Sequence, residues 1–322
     1  MLKPIFQLFY EKKDITKEVS KYVTSIEYTD IEHGSSDELV ITFEDTEKLW
    51  QESWIPIKGD SIRAYLGYES EKLLNCGSFE IDEVEFESPP DILIVKSLAT
   101  GIKKPLRQKN SKGYENKLLK QIVKEIADKH GYNLVGDIED IRVDRITQNK
   151  EHDLSFLTKL AEEYGYIFKI AENNLVFYKV QKLKSAKSTI IFYKSDLTHI
   201  NLREKTSQKY KSVQVSYFDP KKKKTITASA RNEKVIKGDT LKITSRCSDR
   251  KQAILKANAA LKTADTKIEG SIELAGNPYL IAGINIELKG IGHFSGKYHI
   301  KQVRHLYERS SGYRTYCEIV SC

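Results

Sequence analysis

One pattern occurs twice in this chain, near opposite ends. Gly59-Asp60-Ser61-Ile62-Arg63-Ala64 precedes Gly77-Ser78-Phe79-Glu80-Ile81-Asp82-Glu83-Val84, and Gly283-Ile284-Asn285-Ile286-Glu287-Leu288 precedes Gly296-Lys297-Tyr298-His299-Ile300-Lys301-Gln302-Val303. Gly77, Phe79, Ile81 and Val84 align without gaps with Gly296, Tyr298, Ile300 and Val303. The pattern is a glycine at a tight bend followed by alternate residues on the buried face of a strand. Val84 and Val303 break the alternation at the same place, which predicts a bulge or a change of face there. Each copy then enters a polar turn, Ser88-Pro89-Pro90 or Ser310-Ser311-Gly312, and a last strand. Duplication and the generic look of β hairpins are the two readings of so short a match. Duplication would give one chain two similar β domains, and three such chains in a ring would present six.

The rest of the chain fits around this repeat. Short β-branched and aromatic runs at Ser25–Tyr28, Glu38–Phe43, Ser61–Leu66, Ser78–Phe86 and Ile92–Leu98, separated by turn residues, predict a small barrel or sandwich, with a short helix near Glu47–Trp50. Helical spacing of Leu118, Leu119, Ile122, Val123, Ile126 and Ala127 before Gly131 predicts a helix over Tyr114–His130. A second helix is predicted with Asp153 as its cap, Leu154, Leu157, Leu160, Ala161 and Tyr164 as its apolar stripe, and Gly165 as its stop. Strands at Tyr166–Ala171 and Leu175–Val180 follow. Beyond them come a hairpin of Val213–Phe218 and Thr225–Ala230, a third helix after Asp249, and strands at Asn285–Lys289, Lys297–Leu306 and Tyr313–Val320. The predicted fold class is therefore mainly β with an α+β insertion. Two similar small β-barrel domains, residues 1–100 and 186–322, the latter with one inserted helix, flank an α+β segment, residues 101–185, with two helices.

Charge is divided along the same lines. Residues 1–100 hold 10 Lys and Arg against 21 Asp and Glu, a net of −11, which leaves +19 in the remainder and +8 overall. Such a chain could bind nucleic acid, an anionic surface or an acidic protein face, including its own acidic domain in a neighbouring copy. No apolar run approaches the roughly 20 residues needed to cross a bilayer, and the amino terminus lacks a secretion signal, so cytoplasmic synthesis is expected. Cys76, Cys247, Cys317 and Cys322 include no Cys-x-x-Cys pair and are read as free thiols.

Two stretches carry a family resemblance. Thr147 to Tyr166, with Asp153, Phe156, Leu157, Leu160, Ala161, Glu162 and Gly165, resembles the Asp-x-x-Phe-Leu-x-x-Leu-Ala-Glu-Glu-x-Gly segment of the phage late control protein D family. The C-terminal run through Gly283, Gly290, Phe294, Gly296, Tyr298, Val303, Gly312 and Tyr313 is similar to that family's ending. The resemblance implies a baseplate hub of a contractile tail or related injection particle, akin to the N-terminal part of type VI secretion spike proteins. It implies a homotrimer whose two barrels per subunit make a pseudo-six-fold ring between a hexameric tail tube and a trimeric spike, in contact with other baseplate proteins. Because the chain stops at Cys322, the spike is expected to be a separate protein.

Other candidate motifs have plainer readings. Glu162 and Glu163 point about 100° apart on a helix and so do not face one substrate bond. His293, His299 and His305 would need one continuous face to hold a metal, and Gly296 turns the chain between the first two. Gly290-Ile291-Gly292 lacks the third glycine of a dinucleotide fingerprint. Neither a catalytic set, a cofactor site nor a metal set is predicted. Lys221, Lys222, Lys223 and Lys224 read as a solvated hairpin tip, or as a contact for an acidic partner domain or for nucleic acid. The expectation is a structural, non-enzymatic hub with DNA or an effector only as passing cargo and no membrane insertion. A tail-associated peptidoglycan hydrolase and a nucleic-acid-binding protein are the competing classes.

Overall fold

A computed structural model describes residues 2–99, 108–204, 210–219, 222–233, 235, 238–264 and 268–322. The protein is mainly β with an α+β insertion. Its first unit contains β1 (Pro4–Tyr10), β2 (Lys13–Asp14), α1 (Thr16–Val19), β3 (Val23–Ile31), β4 (Glu38–Glu44), β5 (Ser61–Tyr68), β6 (Leu74–Glu87) and β7 (Ile92–Ala99). The insertion contains β8 (Lys109–Leu118), α2 (Leu119–His130), β9 (Asn133–Val135), β10 (Arg142–His152), α3 (Asp153–Tyr164), β11 (Tyr166–Ala171), β12 (Asn174–Lys179) and α4 (Val180–Ser185). The remainder contains β13 (Ile190–Tyr193), β14 (His199–Glu204), β15 (Tyr210–Asp219), β16 (Lys224–Arg231), β17 (Asp239–Thr244), α5 (Arg250–Ala264), β18 (Ile268–Ala275), β19 (Asn285–Lys289), β20 (Gly296–Glu308) and β21 (Gly312–Ser321).

Alternation of apolar and polar residues explains the strands. In β4, Leu39, Ile41 and Phe43 are buried while the residues between them are not, so one face packs and the other meets solvent. The strands join in the order β3-β4-β7-β6-β5-β1 in the first unit and β14-β18-β21-β20-β19-β13 in the second, and β20 pairs with β3 to make one continuous sheet. The two units thus repeat one strand order. They differ at its end, where β1 runs antiparallel to β5 but β13 runs parallel to β19.

The residues of the repeated pattern occupy equivalent places. Gly59 N–H donates to Ile81 O and Gly283 N–H to Ile300 O, both at 2.8 Å, at φ of 97° and 89°. That left-handed backbone suits glycine, which has no Cβ to clash. Ile62 faces Phe79 and Ile286 faces Tyr298; Ala64 faces Gly77 and Leu288 faces Gly296. The ladder to the following strand slips between Ile81 and Glu83 in one copy and between Ile300 and Gln302 in the other, so Asp82 and Lys301 are the bulged residues. This is the bulge that the broken alternation predicts. Val303 is fully buried and Val84 packs against the first core.

Among the described residues, four cores follow from this topology. The first gathers Leu8, Ile26, Leu39, Ile41, Phe79 and Ile81, and also takes Tyr313 from β21. The second lies under α2 and α3, and the third under β18 to β21. The fourth joins Val213, Val215 and Tyr217 to Ala253, Ala257 and Leu261 of α5, so residues 210–264 have a core separate from that of the second unit.

Three sequence expectations are corrected. Glu47–Trp50 forms turns, because the Trp50 N–H donates to the Asp45 carboxylate at 3.0 Å and Trp50 stacks on Phe43 instead of joining a helical stripe. The first long helix starts at Leu119, since Tyr114 lies in β8 and stacks on Phe156. Gln121 accepts the Leu118 N–H at 2.8 Å where the helix begins. Asp153 does not cap its helix: His152 takes that position, and the carboxylate serves another purpose described below.

Candidate functional site

The structure concentrates its polar chemistry at junctions between units. At the seam between β3 and β20, His305 faces Tyr28, Arg304 faces Thr29 and Leu306 faces Glu27. The His305 ring stacks on Tyr28, and Arg304 reaches Glu27 diagonally at 3.4 Å. His305 Nε2 donates to Leu280 O at 3.0 Å, which leaves Nδ1 to accept from Tyr313 at 2.8 Å. Burial pushes the imidazole pKa down to about 4. His299 lies at the same seam with Glu32 2.6 Å from one nitrogen and Asn285 Oδ1 2.7 Å from the other. The Asn285 amide donates in turn to Leu183 O and Ala186 O, which ties the seam to the chain leaving the insertion.

A second junction fixes the insertion to the first unit. Lys169 of β11 lies 2.5 Å from Asp30 and 2.8 Å from Asp37, with all three largely buried. Burial raises the Asp37 carboxyl despite the lysine beside it. Burial works against the Lys169 charge, but the two carboxylates outweigh it and raise its pKa. Asp30 also accepts the Ala282 N–H at 2.8 Å, so one carboxylate touches the first unit, the insertion and the second unit. Nearby, the His33 ring nitrogen accepts from Phe168 N–H at 2.9 Å.

The family-motif helix α3 is the centre of a third set of contacts. Asp153, 1% exposed, accepts from Gln148 at 2.7 Å, Lys129 at 2.8 Å and His130 at 2.7 Å, tying α3 to β10 and the end of α2. Burial alone would raise its carboxyl pKa, but these hydrogen bonds outweigh burial and hold it below the ordinary range. Phe156, Leu157, Leu160 and Ala161 fill the core beneath, and Gly165 ends the helix in the left-handed region. Glu162 lies 3.7 Å from His33 of the first unit, and Glu163 lies 2.6 Å from Lys256 of α5. The adjacent carboxylates thus serve two different neighbours.

The remaining candidates are dispersed. His293 is exposed and meets Glu204 at 3.1 Å, whereas His299 and His305 are buried with different partners. Among the described residues no group of three or more His, Cys, Asp or Glu could hold a metal, and no helix is long and apolar enough to cross a membrane. Gly290 and Gly312 lie at bends with positive φ, the Phe294 carbonyl accepts the Tyr298 hydroxyl at 2.6 Å, and Tyr298 is buried in the second unit's core. Lys222, Lys223 and Lys224 are exposed at the β15–β16 turn, and Lys221 lies outside the described residues. Sequence reasoning missed Lys169, Asp30, Asp37 and Glu32. Their partners are remote in sequence, and no local spacing marks them.

This arrangement, a duplicated β unit with a polar seam and an α+β insertion, is the fold of tail proteins of phage type. It is similar to the tail protein from Neisseria meningitidis MC58, with a TM-score of 0.75 at 9% identity, covering 99% of this chain and 97% of that one. It is also similar to the Escherichia coli c3393 protein, a type VI secretion component with structural similarity to the T4 tail proteins gp27 and gp5. That match has a TM-score of 0.60 at 14% identity and covers 94% of this chain and 74% of that one. The chain belongs to the Alg8 N-terminal domain family, whose model matches residues 44–308, and to the baseplate hub proteins represented by its curated relatives. The probable baseplate hub protein of Escherichia phage 186 is 28% identical over 187 residues, 58% of this chain and 47% of that protein. The match thus spans about half the length of the curated relative.

Proposed function

We propose that this protein is the structural hub that joins a hexameric tail tube to a trimeric spike, as a homotrimer with a pseudo-six-fold ring. The repeated strand order, β3-β4-β7-β6-β5-β1 and β14-β18-β21-β20-β19-β13, carries the reading. Two like units per chain let three copies offer six similar lobes to a six-fold partner while keeping three-fold symmetry for the other. Residues 1–100, 101–185 and 186–322 are the proposed domains. The family-motif residues of α3 and the C-terminal strands act structurally, and the lysine-rich turn at Lys222 to Lys224 is a contact for an acidic partner surface. The protein is made in the bacterial cytoplasm and assembled into the tail, with DNA or an effector as passing cargo.

The reading is non-enzymatic. Relatives are hub and tail proteins, and Glu162 and Glu163 are engaged by His33 and Lys256. Imaging the protein assembled with its tube and spike tests the proposal: a three-fold ring with six outer lobes is expected, and a strict monomer under those conditions would refute it. A zymogram on cell-wall material should show no clearing, and clearing would favour a hydrolase.

A further inference from the structure

The two units match along their shared strand order, and among the described residues one of their two equivalent seams has no partner strand. The paired row Val84, Val95, Ile41, Ile26 in the first unit corresponds to Val303, Cys317, Ile272, Ile200 in the second. In that correspondence β6 matches β20 and β3 matches β14. After its bulge β20 has a strand on each side, β21 and β3. β6 after its own bulge has only β7, so the other edge of Glu83–Glu87 faces no strand among the described residues. Among the described residues β14 pairs with β18 alone and ends the sheet.

We infer that β6 of one copy pairs antiparallel with β14 of the next copy, in the register of the internal seam. The internal pairs Val303/Asp30, Arg304/Thr29, His305/Tyr28 and Leu306/Glu27 become Val84/Glu204, Glu85/Arg203, Phe86/Leu202 and Glu87/Asn201 between copies. An open strand edge is a template for another chain, and main-chain hydrogen bonds supply affinity while side chains set register.

The side chains fit this occupant. Phe86 is 45% exposed, whereas its counterpart His305 is fully covered by the internal seam. Pairing would lay Phe86 against the half-buried Leu202 of the next copy, as His305 lies against Tyr28. Glu83, Glu85 and Glu87 make the β6 edge acidic, and Lys96 accompanies only the first two, at 3.1 and 2.8 Å. Arg203 already lies 3.0 Å from Glu269 and would gain Glu85 directly opposite. The contact is head to tail, so repetition either closes a ring or continues, and closure at three rests on the hub reading above.

Cysteine cross-linking in the full chain tests the register. Glu85→Cys with Arg203→Cys is the in-register pair, and Glu85→Cys with Leu202→Cys is a one-residue slip that puts the thiols on opposite faces. Wild type, with its four native cysteines, sets the background. Mild oxidation should give covalent trimers only from the in-register variant, and covalent dimers from an equal mixture of its two single variants. Phe86→Asp should fold but weaken the trimer by about tenfold or more. Trimers seen by light scattering without the specific cross-link, or undiminished by Phe86→Asp, would overturn this pairing and leave the hub reading standing. A strict monomer with tube and spike present would overturn both.

Discussion

The Tyr313 hydroxyl donates to Nδ1 of His305 at 2.8 Å, a bond between the paired strands β20 and β21 that fixes the ring at the seam with β3. Tyr313 belongs to the core of the first unit although it lies on the last strand, and His305 is one of the buried residues of the seam. The bond needs an unprotonated Nδ1. With the folded pKa at about 4 and an ordinary value near 6.5, the unfolded chain takes up the proton first as pH falls. The stabilisation is complete above about pH 6.5 and is lost progressively towards pH 4, by up to about 3 kcal/mol. Urea midpoints across this window should fall more steeply for wild type than for His305→Gln. Equal slopes would refute the assignment.

Asp153 should be among the costliest polar positions to change. Asp153→Ala leaves Gln148, Lys129 and His130 without their shared acceptor and should destabilise the protein by about 3 kcal/mol. Asp153→Asn, which keeps the shape but removes the charge, should cost less. Chemical denaturation of both variants provides the measurement, and a loss below about 1 kcal/mol for Asp153→Ala would contradict the buried network.

Lys169→Met should loosen the insertion from the first unit. It leaves Asp30 and Asp37 buried together without their cation, at a cost of about 3–5 kcal/mol. Adding Asp37→Asn should recover much of the loss. Limited proteolysis should cut the single variant faster than wild type near residues 108–180, and unchanged cutting would count against the junction.

Gly270 sits where β18 meets β14, and a Cβ there would lie 1.9 Å from the Asn201 backbone oxygen. Because the obstacle is backbone, no side chain can yield. Gly270→Ala should cost about 1–3 kcal/mol, chiefly by displacing β14. Hydrogen exchange should rise at His199–Glu204 while the first unit stays protected, and trimer formation should drop with it. Normal protection of β14 would refute this account.

Legibility in the sequence followed the range of the interactions. Alternation located β3 to β7, and helical spacing with Gly131 and Gly165 located the ends of α2 and α3, because strand faces and helix stops are set by neighbours in sequence. The boundary between β8 and α2 at Leu119 is not legible, because apolar spacing continues from a strand into a helix without a break. The turns at Glu47–Trp50 are not legible either, because Trp50 serves an aromatic cluster with Phe43 and Tyr22 that is formed by residues outside the segment. Asp153 looked like a cap because Asp favours that position, and only the approach of His130 and Lys129 shows what its carboxylate binds.

By itself the sequence determined the repeat, its bulge and the family resemblance, because glycine bends and alternating faces are local consequences of residue order. It also established the division into an acidic end and a basic body. Only the tertiary structure decided that β3 pairs with β20, that Lys169 meets Asp30 and Asp37, and that the end of β6 and the outer side of β14 face no strand among the described residues. Strand partnership and the pairing of buried charges depend on which segments meet in space, and residues far apart in sequence carry no local mark of that meeting.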